Sequence, residues 1–185
     1  VLQGDGKAYG IEFLLKKKIG KLSGWLSYTY SRALFRFRSQ YFEEEINNGS
    51  FFPSNFDKPH DASLILNYKF SQRLSFSSNF VYQTGRPVTL PVGNFEFNNS
   101  EFVLYSNRNQ IRIPDFYRLD VGLNLEGNHK KNKKIHSFWS LSIYNVLGRN
   151  NPYSVFFQND EGSIKALQSS IFAVPIPSLS YNISF

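Results

Sequence analysis

The chain has 185 residues, a formal net charge of +7 and no cysteine, with 19 Phe and 11 Tyr bringing the aromatic fraction to 17%. Without cysteine, disulfides and thiolate chemistry are excluded. With no run of about 18 apolar residues, so is a transmembrane helix. A basic chain can bind nucleic acid, but the clearest clusters, Lys16-Lys17-Lys18 with Lys21 and Lys130-Lys131 with Lys133-Lys134, fall at expected strand ends and short links. There they read as solvated turns.

The first candidate strand runs from Ala8 to Lys18, with Tyr9, Ile11, Phe13 and Leu15 on one face and Ala8, Gly10, Glu12 and Lys16 on the other. Leu14 is the exception on the second face. This period of two marks a strand with unlike faces. Lys18-Ile19-Gly20-Lys21 is a turn, and Gly20 supplies the permissive backbone. From Leu22 to about Leu34, Leu22, Leu26, Tyr28 and Tyr30 oppose Ser23, Ser27, Thr29 and Ser31. Trp25 interrupts the polar face.

Phe35 to His60 reads as a long loop, with Asn47-Asn48-Gly49, Pro53 and Pro59 as breakers. Ala62, Leu64, Leu66, Tyr68 and Phe70 then form the apolar face of a third strand, and Ser71-Gln72-Arg73 turns the chain. Leu74, Phe76, Phe80 and Tyr82 continue that face on the way back. A second long connection runs from Thr84 to about Phe116, with short strands expected at 94–97 and 102–105. Tyr117, Leu119, Val121, Leu123 and Leu125 alternate with Arg118, Asp120, Gly122, Asn124 and Glu126. A fairly short link from Asn128 to Lys134 leads to Trp139, Leu141 and Ile143. A third long connection, about Gly148 to Val174, holds an expected raised hairpin through 153–158. The last strand places Leu179, Tyr181, Ile183 and Phe185 on one face and Ser178, Ser180, Asn182 and Ser184 on the other.

The links alternate short and long. About seven strands are long enough to cross a bilayer at a tilt, which takes about 9–11 residues. Tyr9, Tyr30, Tyr82 and Tyr117 lie near one set of strand ends, and Tyr68, Phe70, Trp139 and Phe185 near the other, as interfacial girdles would. Residues 1–185 therefore read as one all-β segment of an antiparallel transmembrane β-barrel, with short periplasmic turns and long extracellular loops. A soluble basic β-sandwich is the weaker reading, since it would not need tyrosines at both strand ends. An odd strand count, and a start at Val1 with no leader before it, predict further strands upstream.

No catalytic constellation emerges. His60-Asp61 has no Gly-x-Ser-x-Gly elbow to serve, and His60, His129 and His136 lack metal-ligand spacing with a carboxylate. Glu43-Glu44-Glu45 reads as a solvated loop run. Thr84-Gly85-Arg86-Pro87 lacks the lysine and helix of a phosphate loop. The chain is expected to be no enzyme and to need no cofactor or metal. Loop aromatics remain: Phe51, Phe52, Phe56, Phe95, Phe97 and Tyr105, with Phe102, are candidates for contacting a ligand by stacking. The alternative is that they pack the loops together.

Gly6-Lys7-Ala8-Tyr9-Gly10-Ile11-Glu12-Phe13, Trp25-Leu26-Ser27-Tyr28-Thr29-Tyr30-Ser31-Arg32, Phe52-Pro53 with Asp57 and His60-Asp61, and Tyr82-Gln83-Thr84-Gly85-Arg86-Pro87 resemble stretches of TonB-dependent outer-membrane receptors, in particular those of the Bacteroidetes. Arg112-Ile113-Pro114-Asp115-Phe116-Tyr117-Arg118-Leu119-Asp120 and Tyr144-Asn145-Val146-Leu147-Gly148-Arg149-Asn150-Asn151-Pro152-Tyr153 are similar to that family too. Leu179, Tyr181, Ile183 and Phe185 resemble the signal read by the barrel-assembly machinery. The resemblance implies the last seven strands or so of a barrel of about 22 strands with an N-terminal plug. It implies outer-membrane lipid, the assembly machinery, TonB through an upstream segment and a surface lipoprotein lid as partners, with no nucleic acid. Its activity would be active import of a siderophore, cobalamin, glycan or peptide. A receptor-like barrel with a scaffold or assembly role is the alternative.

Overall fold

A computed structural model describes residues 3–127, 135–160 and 163–184. They form an all-β, antiparallel structure. In chain order the strands are β1 (Asp5–Lys17), β2 (Leu22–Arg36), β3 (Phe52–Pro53), β4 (His60–Lys69), β5 (Leu74–Gln83), β6 (Pro87–Val88) and β7 (Pro91–Phe97). They continue as β8 (Ser100–Tyr105), β9 (Ile111–Arg112), β10 (Phe116–Glu126), β11 (His136–Tyr144), β12 (Pro152–Asp160), β13 (Ser163–Ser170) and β14 (Ile176–Ser184). Two 3₁₀ turns, Phe42–Glu44 and Asn47–Gly49, lie in the first long connection.

The main sheet runs β1-β2-β4-β5-β10-β11-β14, each long strand beside the one before it, with β3 paired to the end of β2. Links 18–21, 70–73 and 127–135 join strands at one end; links 37–59, 84–115 and 145–175 join them at the other. The long links carry the small pairs β6–β9, β7–β8 and β12–β13. All seven long strands expected from alternation are present. The third starts at His60 rather than Ala62, because His60 pairs with Tyr30 and its Nδ1 shares a 2.8 Å hydrogen bond with the Tyr28 hydroxyl. Phe70 lies in the turn, where its N–H and that of Ser71 both donate to the Leu74 carbonyl. Among the described residues β1 and β14 each pair on one side only, so the sheet is open rather than a closed barrel.

Register aligns the apolar residues of neighbouring strands into rows. Phe13, Tyr28, Ala62, Tyr82 and Tyr117 form one, and Leu15, Leu26, Leu64, Phe80 and Leu119 the next. Closer to the short links, Leu22, Tyr68, Phe76, Leu123, Leu141 and Leu179 make a third, and Leu74, Leu125, Trp139 and Tyr181 a fourth. The other face carries rows such as Ser23, Asn67, Ser77, Gly122, Ser142 and Ser178. Side chains alternate faces along a strand, so one register fixes both surfaces at once. Leu14, Trp25, Phe35, Ile65, Val81, Phe116, Phe138 and Ile176 are large apolar residues at polar-face register positions.

Among the described residues nothing packs on the apolar face. Ile11, Phe13, Leu15, Leu141, Leu179 and Tyr181 are exposed, and among the described residues Phe52 is the only buried apolar side chain apart from the ring of Pro87. No helix of the described residues is long and apolar enough to cross a membrane.

Candidate functional site

The buried polar groups gather where the long loops meet the strands. Pro53 and Ser54 anchor the first loop to β2, the Ser54 N–H donating to the Ala33 carbonyl at 2.8 Å. A turn closed by the Asp57 N–H on the Ser54 carbonyl then points the Asp57 carboxylate inward. That side chain is 0% exposed. It accepts the Ala33 N–H at 2.7 Å and Arg32 Nε at 3.2 Å, and pairs with Arg112 Nη2. Arg112 belongs to the second loop. Its Nη1 also donates to the Asp57 carbonyl at 2.6 Å and the Gly85 carbonyl at 2.9 Å. One guanidinium thus ties two loops together. Burial pushes the Asp57 pKa up, but the Ala33 N–H and the two arginines outweigh it and hold the carboxyl below its ordinary value.

Asp115 makes a second clasp. It accepts the Tyr82 hydroxyl at 2.6 Å and the Gly85 N–H at 2.9 Å, and these bonds lower its pKa. Gly85 is held so close to the returning chain that a Cβ there would stand 1.8 Å from the Ile113 carbonyl oxygen. No side chain fits. Gly85→Ala is expected to force these segments apart and cost about 1–3 kcal/mol, the range for overpacking. It should appear as faster cleavage of loop 84–115 by added protease, with the strands still protected.

The third loop is tied similarly. The Arg149 guanidinium lies 3.9 Å over the Tyr117 ring, and its two Nη groups donate to the Tyr117 hydroxyl at 2.8 Å and the Asp115 carbonyl at 2.9 Å. Asn145, 1% exposed, donates from Nδ2 to the carbonyls of Arg149 and Phe172, while its own N–H reaches Asp120 Oδ1 at 2.9 Å. Asn151 exchanges two hydrogen bonds with the Tyr117 backbone. A cleft of about 340 Å³ beside this clasp is lined by Arg118, Tyr144, Tyr153 and Phe172 among others.

The loop aromatics do not converge on one place. Phe52 is buried and stacks on Phe37 at 6.0 Å, so it packs the first loop. The Phe51 ring carries Lys7 Nζ at 3.9 Å and Arg36 Cζ at 4.5 Å. Phe56 stands 89% exposed. Phe95 and Phe97 sit on the separate β7–β8 hairpin, where Phe95 stacks on Phe102 at 5.5 Å, and Tyr105 ends that hairpin exposed. Leu179, Tyr181 and Ile183 all point to the apolar face, with the Tyr181 ring 4.5 Å from that of Trp139. Phe185 lies outside the described residues, as do His129 and Lys130 to Lys134. Among the described residues no three His, Cys, Asp or Glu side chains gather as a metal site would require.

The clasp residues Arg112, Asp115, Asn145 and Arg149 were not candidates from composition or spacing. Their signal lay in the Gly85-Arg86-Pro87, Ile113-Pro114-Asp115 and Asn145-Val146-Leu147-Gly148-Arg149 stretches, which meet at the loop bases. No protein-family model, curated protein or solved structure matches the chain.

Proposed function

We propose that the sheet is wall from an outer-membrane β-barrel whose long-loop end faces outward, and that the barrel imports a nutrient. The observation that carries the membrane reading is the continuous apolar face over seven strands, with no layer covering it among the described residues. Moving one Leu, Ile or Phe out of water is worth about 1.5–3 kcal/mol. Leaving all of those on this face wet would exceed the stability of an ordinary domain. Lipid satisfies that face, while the Ser- and Asn-rich face suits a wet or plugged lumen. In lipid the outer edges of β1 and β14 must also be paired, since an open edge costs several kcal/mol per unsatisfied group. A barrel with more strands, of the 22-stranded receptor type, meets that need.

Energised import rests on the stretches resembling TonB-dependent receptors, and the polar clasps support it physically. They hold three long loops at fixed bases above the wall, as capture of a scarce solute requires. A strain lacking the protein is expected to lose growth on one limiting siderophore, cobalamin, glycan or peptide source. Uptake of that solute by the parent strain should stop when a protonophore collapses the energising gradient. Normal growth on all four classes, with an outer membrane of altered protein content, would favour the scaffold role.

A further inference from the structure

The third long loop holds one backbone conformation that its residue type does not favour. Among the described residues, the non-glycine positions with positive φ are six asparagines and Phe172, at φ 55°. Asparagine tolerates that region, whereas a bulky aromatic residue rarely enters it. Phe172 is held there by the buried Asn145, whose Nδ2 donates to the Phe172 carbonyl at 2.9 Å. The ring placed in this way is 59% exposed. It lines the cleft of about 340 Å³ at the long-loop ends of β10 and β11. Strain that leaves a large apolar ring in water stabilises nothing in the free chain, and strain of this kind gathers at ligand clamps.

The cleft opens on the polar face. Phe116, Arg118 and Tyr144 occupy polar-face register positions, and Tyr153, Ile171 and Phe172 line the cleft from the third loop. Tyr153 is 71% exposed, so it and Phe172 both keep open ring faces. Tyr144 is already engaged: the Arg118 guanidinium lies 4.3 Å over its ring, and Phe172 meets it edge-on at 82°. Arg118 is the one charged side chain among the described lining residues, and Asp120 matches it at 3.0 Å. The cleft thus combines open aromatic faces, balanced charge and hydrogen-bonding groups.

Resting on the import reading above, we infer that this cleft receives a neutral sugar ring of the incoming solute. The C–H face of the ring stacks on Phe172 and Tyr153. Its hydroxyls accept the Arg118 N–H groups left over from Asp120 and Tyr144. An ionised ligand gains nothing from balanced charge, and a wholly apolar one leaves the Arg118 donors unused. The volume falls within the range of small-ligand sites, about 300–1,000 Å³. Of the four solute classes, the glycan is the one built from such rings.

The test presents the complete purified protein, in phosphatidylcholine vesicles, to an array of immobilised neutral oligosaccharides, acidic oligosaccharides and phenylalanine-containing peptides. Binding is expected on neutral oligosaccharides. Phe172→Tyr keeps the ring and should keep that binding. Phe172→Gly should lower the apparent affinity about tenfold, the scale of one lost aromatic stacking contact. Glycine adopts positive φ freely, so this variant should leave loop 145–175 at least as resistant to added protease as the parent. Tyr153→Ala, which removes the other open ring, should weaken binding by a similar factor and decides the matter if Phe172→Gly loosens the loop. Binding that neither Phe172→Gly nor Tyr153→Ala weakens overturns the inference, as does stronger binding to acidic oligosaccharides or to the peptides. An array empty of neutral oligosaccharides, beside lost growth of the strain on a siderophore, cobalamin or peptide source, overturns it and leaves the import reading standing. Failure to insert into the vesicles overturns the membrane reading itself.

Discussion

Leu64→Arg is expected to destabilise the folded protein by about 2–4 kcal/mol, which is, on the proposed membrane reading, the cost of an arginine on the lipid face near the bilayer midplane. Leu64 lies midway along β4, between Leu26 and Phe80 in the second apolar row. Its long-loop end is four residues away at His60 and its short-link end five residues away at Lys69. An arginine at that depth cannot bring its charge to either interface without bending the side chain along the wall. Ser63→Arg is the matched control. Ser63 is at nearly the same depth but points to the polar face, between Ser27 and Val81. There the guanidinium stays hydrated and the change should be within about 0.5 kcal/mol, as for a surface substitution. Urea unfolding of both variants in the same vesicles reads the difference. Equal costs at the two positions would contradict the assignment of faces.

Asp57→Ala should cost about 3 kcal/mol. Removing one member of a buried ion pair typically costs about 3–5 kcal/mol, because the remaining charge stays desolvated. The lower end applies because Arg32 and Arg112 each remain 27% exposed and can recover water. Arg112 would also lose its hold on the first loop, so loops 37–59 and 84–115 should become protease-sensitive together. Asp57→Asn should be nearly as damaging to the loops, since it keeps the shape but loses the charge. The same clasp predicts a pH dependence. The Asp57 and Asp115 carboxyls have folded pKa values below their unfolded ones. Their contribution is present above the ordinary carboxylate pKa and is lost as pH falls through the lower folded values. Acid should therefore loosen the loops of the parent protein, and protease cleavage of the Asp57→Asn variant should depend less on pH over that range.

The seven long strands were legible because each states its two faces in its own residues. In β4 and β5 the alternation of Leu, Tyr and Phe with Ser and Asn is nearly unbroken, and a four-residue link leaves only one way to pair them. Even the exception at Trp25 was readable, since its parity puts it opposite Leu26 and Tyr28. The clasps were not readable in the same way. Asp57 and Arg112 are 55 residues apart, and nothing local to either names the other. Their meeting is set by loop paths that depend on β3 pairing with β2 and on Gly85 admitting a close backbone. The loop aromatics illustrate the same limit. Phe52 and Phe56 look alike in composition, yet one is buried by the β3 pairing and the other stands in the open.

The two tryptophans of this chain lie on opposite faces, which makes them reporters for the central claim. Trp139 is on the apolar face, in the row with Leu125 and Tyr181, whereas Trp25 is on the polar face with Lys16 Nζ 5.6 Å from its ring. In vesicles of lipid brominated on its acyl chains, the assembled protein should show strong fluorescence quenching that Trp139→Phe removes and Trp25→Phe leaves intact. Quenching that both substitutions reduce equally, or that follows Trp25 alone, would mean that lipid does not cover the apolar face.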